Sequence, residues 1–290
     1  MEVLLGVELW IITGFIAVLF KTVYQSWQKK LNEDYSSVEL TKTAVLIVLI
    51  STLTTSTVLV VLLDYPLPDM RGGMYAVMAG LFLYTGLWLF NLSMKYCDLS
   101  VSSPLQQTIP VFVAFIEPLV LASQGYSLRV VLSAVLVVIG AYFITIKDDF
   151  RTPIRNITGK GPLLAIISAI LFAFASITTH HTTQFMPVLW YIVVQSATGL
   201  IVLTAYSRNM NFNTELEVLG YGSSYTLTVI LDITTLSLVA ASIATVFFRL
   251  SLVFNIAIGL VIYKERNPRL KIVGASLILL SIVSVSLFAQ

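Results

Sequence analysis

Long apolar runs separated by short polar connections account for most of the chain. Ten runs reach the length of about 20 residues that a helix needs to cross the hydrocarbon core of a bilayer. They cover approximately residues 3–20, 40–63, 72–94, 99–121, 128–146, 161–179, 187–206, 216–237, 239–263 and 270–289. The pattern predicts ten transmembrane helices, and the short connections leave no room for a separate soluble domain.

Composition points the same way. Of the 290 residues, 57% are hydrophobic and 11% are charged, whereas soluble domains carry about 25% charged residues. The net charge of +2 gives no sign of a nucleic-acid partner. The single cysteine, Cys97, excludes an intramolecular disulfide and a cysteine-based metal cluster. The first run has no basic leader and no small-residue cleavage site, so we expect it to be retained as the first span.

Basic residues are distributed unevenly between the connections. Fourteen of the 17 lysines and arginines lie in odd-numbered connections or at the adjoining ends of the runs, whereas the even-numbered connections and their adjoining ends hold only Arg71 and Arg129, and Arg249 lies inside the ninth run. Lysine and arginine accumulate in cytoplasmic loops. The odd connections are therefore expected in the cytoplasm and both termini outside.

The two halves of the chain resemble each other. A shift of 141 residues lays 100–140 over 241–281. Each half holds five spans, an odd number, so the second copy is expected to lie inverted in the membrane, as in many secondary transporters. We predict an all-α membrane protein in which two inverted five-helix repeats, 1–147 and 161–290, are joined by a basic loop at 148–160.

Both repeats resemble a known family. Residues 240–288 open on small residues, carry the turn "YKE" ending at Glu265, and have Gly274 in the final span. Residues 99–146 share the hydrophobic pattern and a "PVF" that begins at Pro110. These segments resemble the EamA repeat of the drug/metabolite transporter superfamily.

The resemblance implies a basket of ten helices around a central cavity, and secondary transport by alternating access. Members of the superfamily handle amino acids, drugs, nucleotide sugars, phosphorylated sugars and quaternary amines. They usually have both termini in the cytoplasm, whereas the basic residues of this chain favour both termini outside.

One polar stripe lies in the fourth run. At helical spacing Gln106, Pro110, Ala114 and Glu117 share one face, and Gln107 is adjacent. Amides and a carboxylate in hydrocarbon are costly unless they face protein or water. The stripe is therefore expected to line a cavity, facing its repeat counterpart, the ninth helix.

Ionisable residues inside spans are candidates for function. Arg249 either binds a carboxylate or phosphate of the solute or forms a permanent ion pair with an acid such as Glu117 or Asp232. Glu8, Glu117 and Asp232 fall on one side of the membrane and are candidates for proton coupling. His180 and His181 close the sixth run, where we expect an interfacial loop rather than a proton switch, and no metal site.

A second stripe follows the third run. Tyr84, Trp88, Asn91 and Lys95 recur at i, i+4, i+7 and i+11. Aromatic rings beside an amide suit an organic cation or a flat solute. The same spacing is also typical of packing within the bundle or of an interfacial aromatic belt.

Together these features predict a transporter in the cell membrane for a small zwitterionic, amino-acid-like solute or an organic cation. Arg249 would take the carboxylate; Glu117 and Asp232 would hold the amine or a proton; Gln106, Trp88 and Tyr84 would line the pocket. No nucleotide-binding or hydrolase motif is present, so an ion gradient, for example of protons, is expected to drive a monomer or homodimer without a cofactor. The alternatives are an anion exchanger for phosphorylated or nucleotide-linked sugars, a lipid scramblase or membrane-embedded enzyme, and a non-transporting scaffold or receptor.

Overall fold

A computed structural model gives the fold of the chain. It describes residues 2–31, 34–96, 102, 105–121, 127–145, 159–207, 215–261 and 268–286. Cys97, the side chain of Glu8, the turn at 263–265 and residues 148–158 of the predicted connecting loop lie outside this description. The predicted repeat boundaries therefore stay a prediction.

The described residues fold into α-helices and contain no strand. In chain order the helices are α1 (Glu2–Leu31), α2 (Ser37–Leu63), α3 (Met70–Ser93), α4 (Ile109–Val120), α5 (Leu128–Thr145), α6 (Lys160–Thr183), α7 (Val188–Ser207), α8 (Leu216–Leu238), α9 (Ala241–Phe247), α10 (Leu250–Val261) and α11 (Pro268–Ser286). Every predicted run contains a helix, and the ninth contains two, α9 and α10. The all-helical, ten-span prediction is confirmed.

Among the residues that the structure describes, six segments are long and apolar enough to cross a membrane. They are Leu9–Gln28, Val38–Leu63, Met70–Ser93, Lys160–Thr183, Val188–Tyr206 and Ala241–Ile258. The helices in the fourth and fifth runs are shorter, and α4 begins ten residues later than the predicted span.

Two compact units make up the fold, and each draws on both halves of the chain. The first unit comprises Met1–Tyr84 and Thr178–Ala240, and the second comprises Thr85–Ile177 and Ala241–Gln290. Helices α3 and α6 each contribute residues to both units.

In the first unit, α1 packs against α8, and α2 packs against α7 and α8. The α1–α8 pair is antiparallel, because Thr13 bonds Thr235 near one end while Lys30 approaches Glu217 near the other. Small residues allow close packing: a Cβ on Gly220 would lie 2.6 Å from the indole of Trp27.

In the second unit, α4 packs against α9, and α5 packs against α11. The helices α5 and α11 approach each other closely at Gly140. A Cβ there would lie 2.7 Å from the carbonyl oxygen of Gly274 and 2.8 Å from Cγ1 of Ile278. The absence of a side chain at Gly140 thus sets the distance between these helices.

Several polar residues lie elsewhere than their predicted positions. Lys21 and Lys42, assigned to the first connection, lie inside α1 and α2, and Lys42 is 1% exposed. These helices extend further than their apolar runs because lysine stems and threonines are good enough helix residues to continue them. His181 and the buried His180 lie within α6 rather than in a loop. Lys95 lies beyond the end of α3, so the helical face predicted for that stripe stops before it.

Candidate functional site

Both polar helices of the second unit are interrupted at equivalent repeat positions. Residues 107–108 form a turn before α4, and residues 248–249 form a turn between α9 and α10. The 141-residue shift places one turn on the other. At both turns the backbone tightens to i→i−3 bonds, from Thr108 to Leu105 and from Arg249 to Val246.

Pro110 and Pro118 of the fourth run lie after this interruption. Pro110 lies in the first turn of α4, where its missing N–H has no intrahelical partner to lose. Pro118 lies inside α4 near its end. The predicted broken stripe exists, but the break is at Gln107 and Thr108.

The side chains at the two turns meet. Nη1 of Arg249 donates to Oε1 of Gln107 over 2.6 Å, a short charge-assisted hydrogen bond. Gln107 is 8% exposed, and Arg249 is half-buried. The neighbouring Gln106, predicted to face the same direction as Glu117, is also half-buried. The guanidinium in the span is therefore held by a neutral amide at this contact.

Glu117 lies near the end of α4 and is 1% exposed. Its carboxylate accepts from the backbone N–H of Ala241 over 2.7 Å and of Ser242 over 2.8 Å. These N–H groups open α9 and have no partner within that helix, and the preceding residues, Val239 and Ala240, have no polar side chain to cap them. The predicted pairing of Glu117 with Arg249 is wrong, since both carboxylate oxygens are engaged by the backbone of α9.

Asp232 lies in the first unit, on α8, beside Lys21 on α1. The Lys21 Nζ and Asp232 Oδ2 atoms are 3.7 Å apart, and the side chains are 21% and 23% exposed. The ion pair gives Asp232 a cationic partner other than Arg249. Lys21 was missed because the apolar run ends at Phe20, although the membrane-length segment of α1 continues to Gln28.

Tyrosines surround this pair. The rings of Tyr24 and Tyr225 meet edge to face with centroids 5.3 Å apart, and Tyr221 packs against both. The buried Tyr84 is hydrogen bonded to Tyr225. Tyr84 therefore belongs to the aromatic cluster of the first unit, while Trp88 and Asn91, half-buried, belong to the second.

The histidine pair contributes to packing in the first unit. His180 Nδ1 lies 2.7 Å from the carbonyl oxygen of Leu236, and its Nε2 lies 3.1 Å from Gln184 Nε2. His181 meets the rings of Tyr75 and Phe185 edge to face. No group of three or more potential metal ligands occurs among the residues that the structure describes.

Comparison with known proteins finds a family whose model matches most of the chain. The model of the EamA-like transporter family matches residues 8–146 and 159–287. An uncharacterized transporter of Archaeoglobus fulgidus is 25% identical over 210 residues, covering 71% of this chain and 73% of that protein.

A second uncharacterized transporter, from Methanothermobacter thermautotrophicus, is 22% identical over 173 residues, or 57% of this chain. The match spans half the length of that relative. A solved crystal structure has the same fold, with a TM-score of 0.74 at 13% identity, covering 96% of this chain and 97% of the other.

Proposed function

Because the chain belongs to the EamA-like transporter family, and is thus an integral multi-pass membrane transporter, we propose that it carries a small zwitterionic, amino-acid-like metabolite by alternating access. The observation that carries the proposal is the Arg249–Gln107 contact, at which a cation in the membrane is held by a neutral acceptor. An amide satisfies a guanidinium donor without neutralising its charge. A solute carboxylate is a better acceptor for a guanidinium group than an amide is, because it carries the opposite charge.

The position of the contact supports binding that changes with conformation. Gln107 and Arg249 lie in the turns that interrupt the fourth and ninth spans, and backbone turns adjust more easily than helix interiors. Discontinuous helices form the solute sites of many secondary transporters. A carboxylate that displaces Gln107 from Arg249 would therefore break the contact between the two turns, so that both turns could change conformation together.

Two acids were predicted to hold the amine. Both oxygens of Glu117 accept backbone N–H groups at the start of α9, and Asp232, in the first unit, faces Lys21 at 3.7 Å. Glu117, Asp232 and Glu8 stay candidates for proton coupling, which solute flux into proteoliposomes with and without a proton gradient would test.

Arg249→Lys and Gln107→Glu test the carboxylate site by complementary means. Lysine keeps the charge and loses the planar fork, so carboxylate binding should weaken by about tenfold or more. Glutamate at 107 places a permanent carboxylate on Arg249, so added amino acids should no longer raise the melting temperature of the purified protein. Arg71→Lys, at an exposed position at the start of α3, is the matched control for Arg249→Lys, with a wild-type ligand response.

Screening of the wild type against amino acids, amines and sugar nucleotides would identify the solute class. Stabilisation by sugar nucleotides alone would favour the anion-exchange alternative. Arg249→Ala that folds and transports at the wild-type rate would overturn the assignment of Arg249.

A further inference from the structure

The Lys21–Asp232 pair of the first unit lies within the membrane. Lys21 is twelve residues after Leu9, the start of the membrane-length segment of α1, which at 1.5 Å per residue is about 18 Å of helix. A charge at such depth is costly and usually marks a functional site. Here the protein places its own primary ammonium beside a carboxylate.

The surroundings of the pair are those of an organic-cation site. Tyr24 follows Lys21 by one turn of α1, and Tyr225 precedes Asp232 by two turns of α8, so each tyrosine shares a face with one member of the pair. The charge of Asp232 acts on the hydroxyl groups of both tyrosines. Aromatic faces near a carboxylate attract ammonium groups by cation–π and Coulomb interactions together.

The contact between Lys21 and Asp232 is also longer than the backbone contacts of Glu117. Its 3.7 Å separation exceeds that of a good hydrogen bond, and about a fifth of each side chain is exposed. Glu117, by contrast, makes contacts of 2.7 and 2.8 Å and is almost fully buried. Lysine is a point charge on a flexible four-carbon stem, so Lys21 is able to leave Asp232 without a change in α1.

We propose that Asp232 is the ammonium site of the transporter and that Lys21 is its resident, tethered cation, which the ammonium group of a solute displaces. The inference rests on the proposed transport of an amine-bearing solute and adds the mechanism of exchange. One monovalent cation replaces another on Asp232, so the carboxylate keeps a counter-charge throughout. Lys21, once displaced, extends its ammonium towards water.

Acetylation of Lys21 measures the displacement directly. The purified wild-type protein is treated with an amine-acetylating ester in increasing tetramethylammonium chloride, a cation that does not react with the ester, with sodium chloride at equal ionic strength as the reference. Peptide mass spectrometry compares Lys21 with Lys30, which lies on the same helix and is 66% exposed. We expect acetylation of Lys21 to rise several-fold and that of Lys30 to stay constant. No rise at Lys21, or an equal rise in sodium chloride, would overturn the proposal.

Variants give an independent measurement of affinity. If Lys21 occupies Asp232 about nine-tenths of the time, Lys21→Met should tighten tetramethylammonium binding about tenfold, or about 1.4 kcal/mol. Binding is followed by thermal shift. Asp232→Asn should abolish the response, and Lys30→Met should leave it unchanged. Should Asp232→Asn fail to fold, Lys21→Met still decides, because a purely structural pair predicts lower stability and unchanged affinity.

Arg249→Lys separates this proposal from the carboxylate site. It should weaken carboxylate binding while leaving the tetramethylammonium effect on Lys21 intact. If the wild-type protein shows no response to carboxylates, the proposed function is wrong. If tetramethylammonium has no effect on Lys21, the proposed ammonium site is wrong.

Discussion

The acids Glu117 and Asp232 lie in different units and are bound in different ways. Glu117 is fixed by two backbone N–H groups at 2.7 and 2.8 Å, with 1% of the residue exposed. Asp232 faces a flexible lysine at 3.7 Å, with 23% of its side chain exposed. In sequence the two acids look alike, each near the end of an apolar run. Glu117 fixes the backbone at the start of α9, whereas we propose that Asp232 exchanges partners, so the role of each acid follows from what its oxygens meet.

The largest expected effect is on Glu117. Glu117→Leu leaves the N–H groups of Ala241 and Ser242 without an acceptor in the membrane interior. At about 1–3 kcal/mol for each buried unsatisfied group, the free energy of unfolding should fall by about 2–6 kcal/mol. Unfolding in mixed micelles measures it.

Glu39→Leu is the control for this substitution. Glu39 also caps a helix, by accepting from the backbone N–H of Ser36 over 3.4 Å, but at an exposed end of α2. Its loss should cost about 0.3–1.5 kcal/mol. Equal losses at Glu117 and Glu39 would show that the backbone contacts of Glu117 carry no special weight.

Apolar periodicity predicted the fold well, and the polar contacts poorly. Every run contains a helix because a chain in lipid has to satisfy its backbone internally, which leaves little choice of structure. The contact of Arg249 with Gln107, rather than with an acid, depends on how α4 and α9 pack, and no local pattern encodes that packing. The internal repeat could have predicted this contact, since the 141-residue shift places Gln107 on position 248, next to Arg249.

Lys21 was missed for a different reason. The first apolar run ends before the charge of Lys21. A lysine can nevertheless continue a membrane helix when an acid on a neighbouring helix pairs with it. The spacing Lys21, Tyr24, Gln25 and Gln28 was visible in sequence, and it marks a polar face on α1 that points to such a partner.

A second prediction compares close packing in the two units. Gly140→Ala places a methyl group 2.7 Å from the backbone oxygen of Gly274, so α5 and α11 must separate. The expected loss of unfolding free energy is about 1–3 kcal/mol. Gly199→Ala in the first unit instead meets the ring of Tyr84, and a side chain moves more easily than a helix, so its loss should be smaller.

Gly73→Ala provides the reference for both glycines. Nothing lies within 4 Å of the added methyl group, and alanine in a helix interior should raise stability by about 0.5–1 kcal/mol over glycine. A loss at Gly199 as large as that at Gly140 would show that the aromatic cluster is as rigid as the α5–α11 contact, which would weaken the argument for an adaptable site there.

The smallest expected effect concerns the ion pair at the other end of α1 and α8. Lys30 Nζ and Glu217 Oε2 are 3.4 Å apart, closer than Lys21 and Asp232, yet 66% and 56% of their side chains are exposed. Glu217→Gln should therefore lower the unfolding free energy by less than about 1 kcal/mol, and added salt should remove the difference. A larger, salt-resistant loss would mean that ion pairs clamp α1 to α8 along its whole length. A small loss would show that the distance between the charges does not distinguish the two pairs. The Lys21–Asp232 pair would then differ from the Lys30–Glu217 pair by its depth in the membrane.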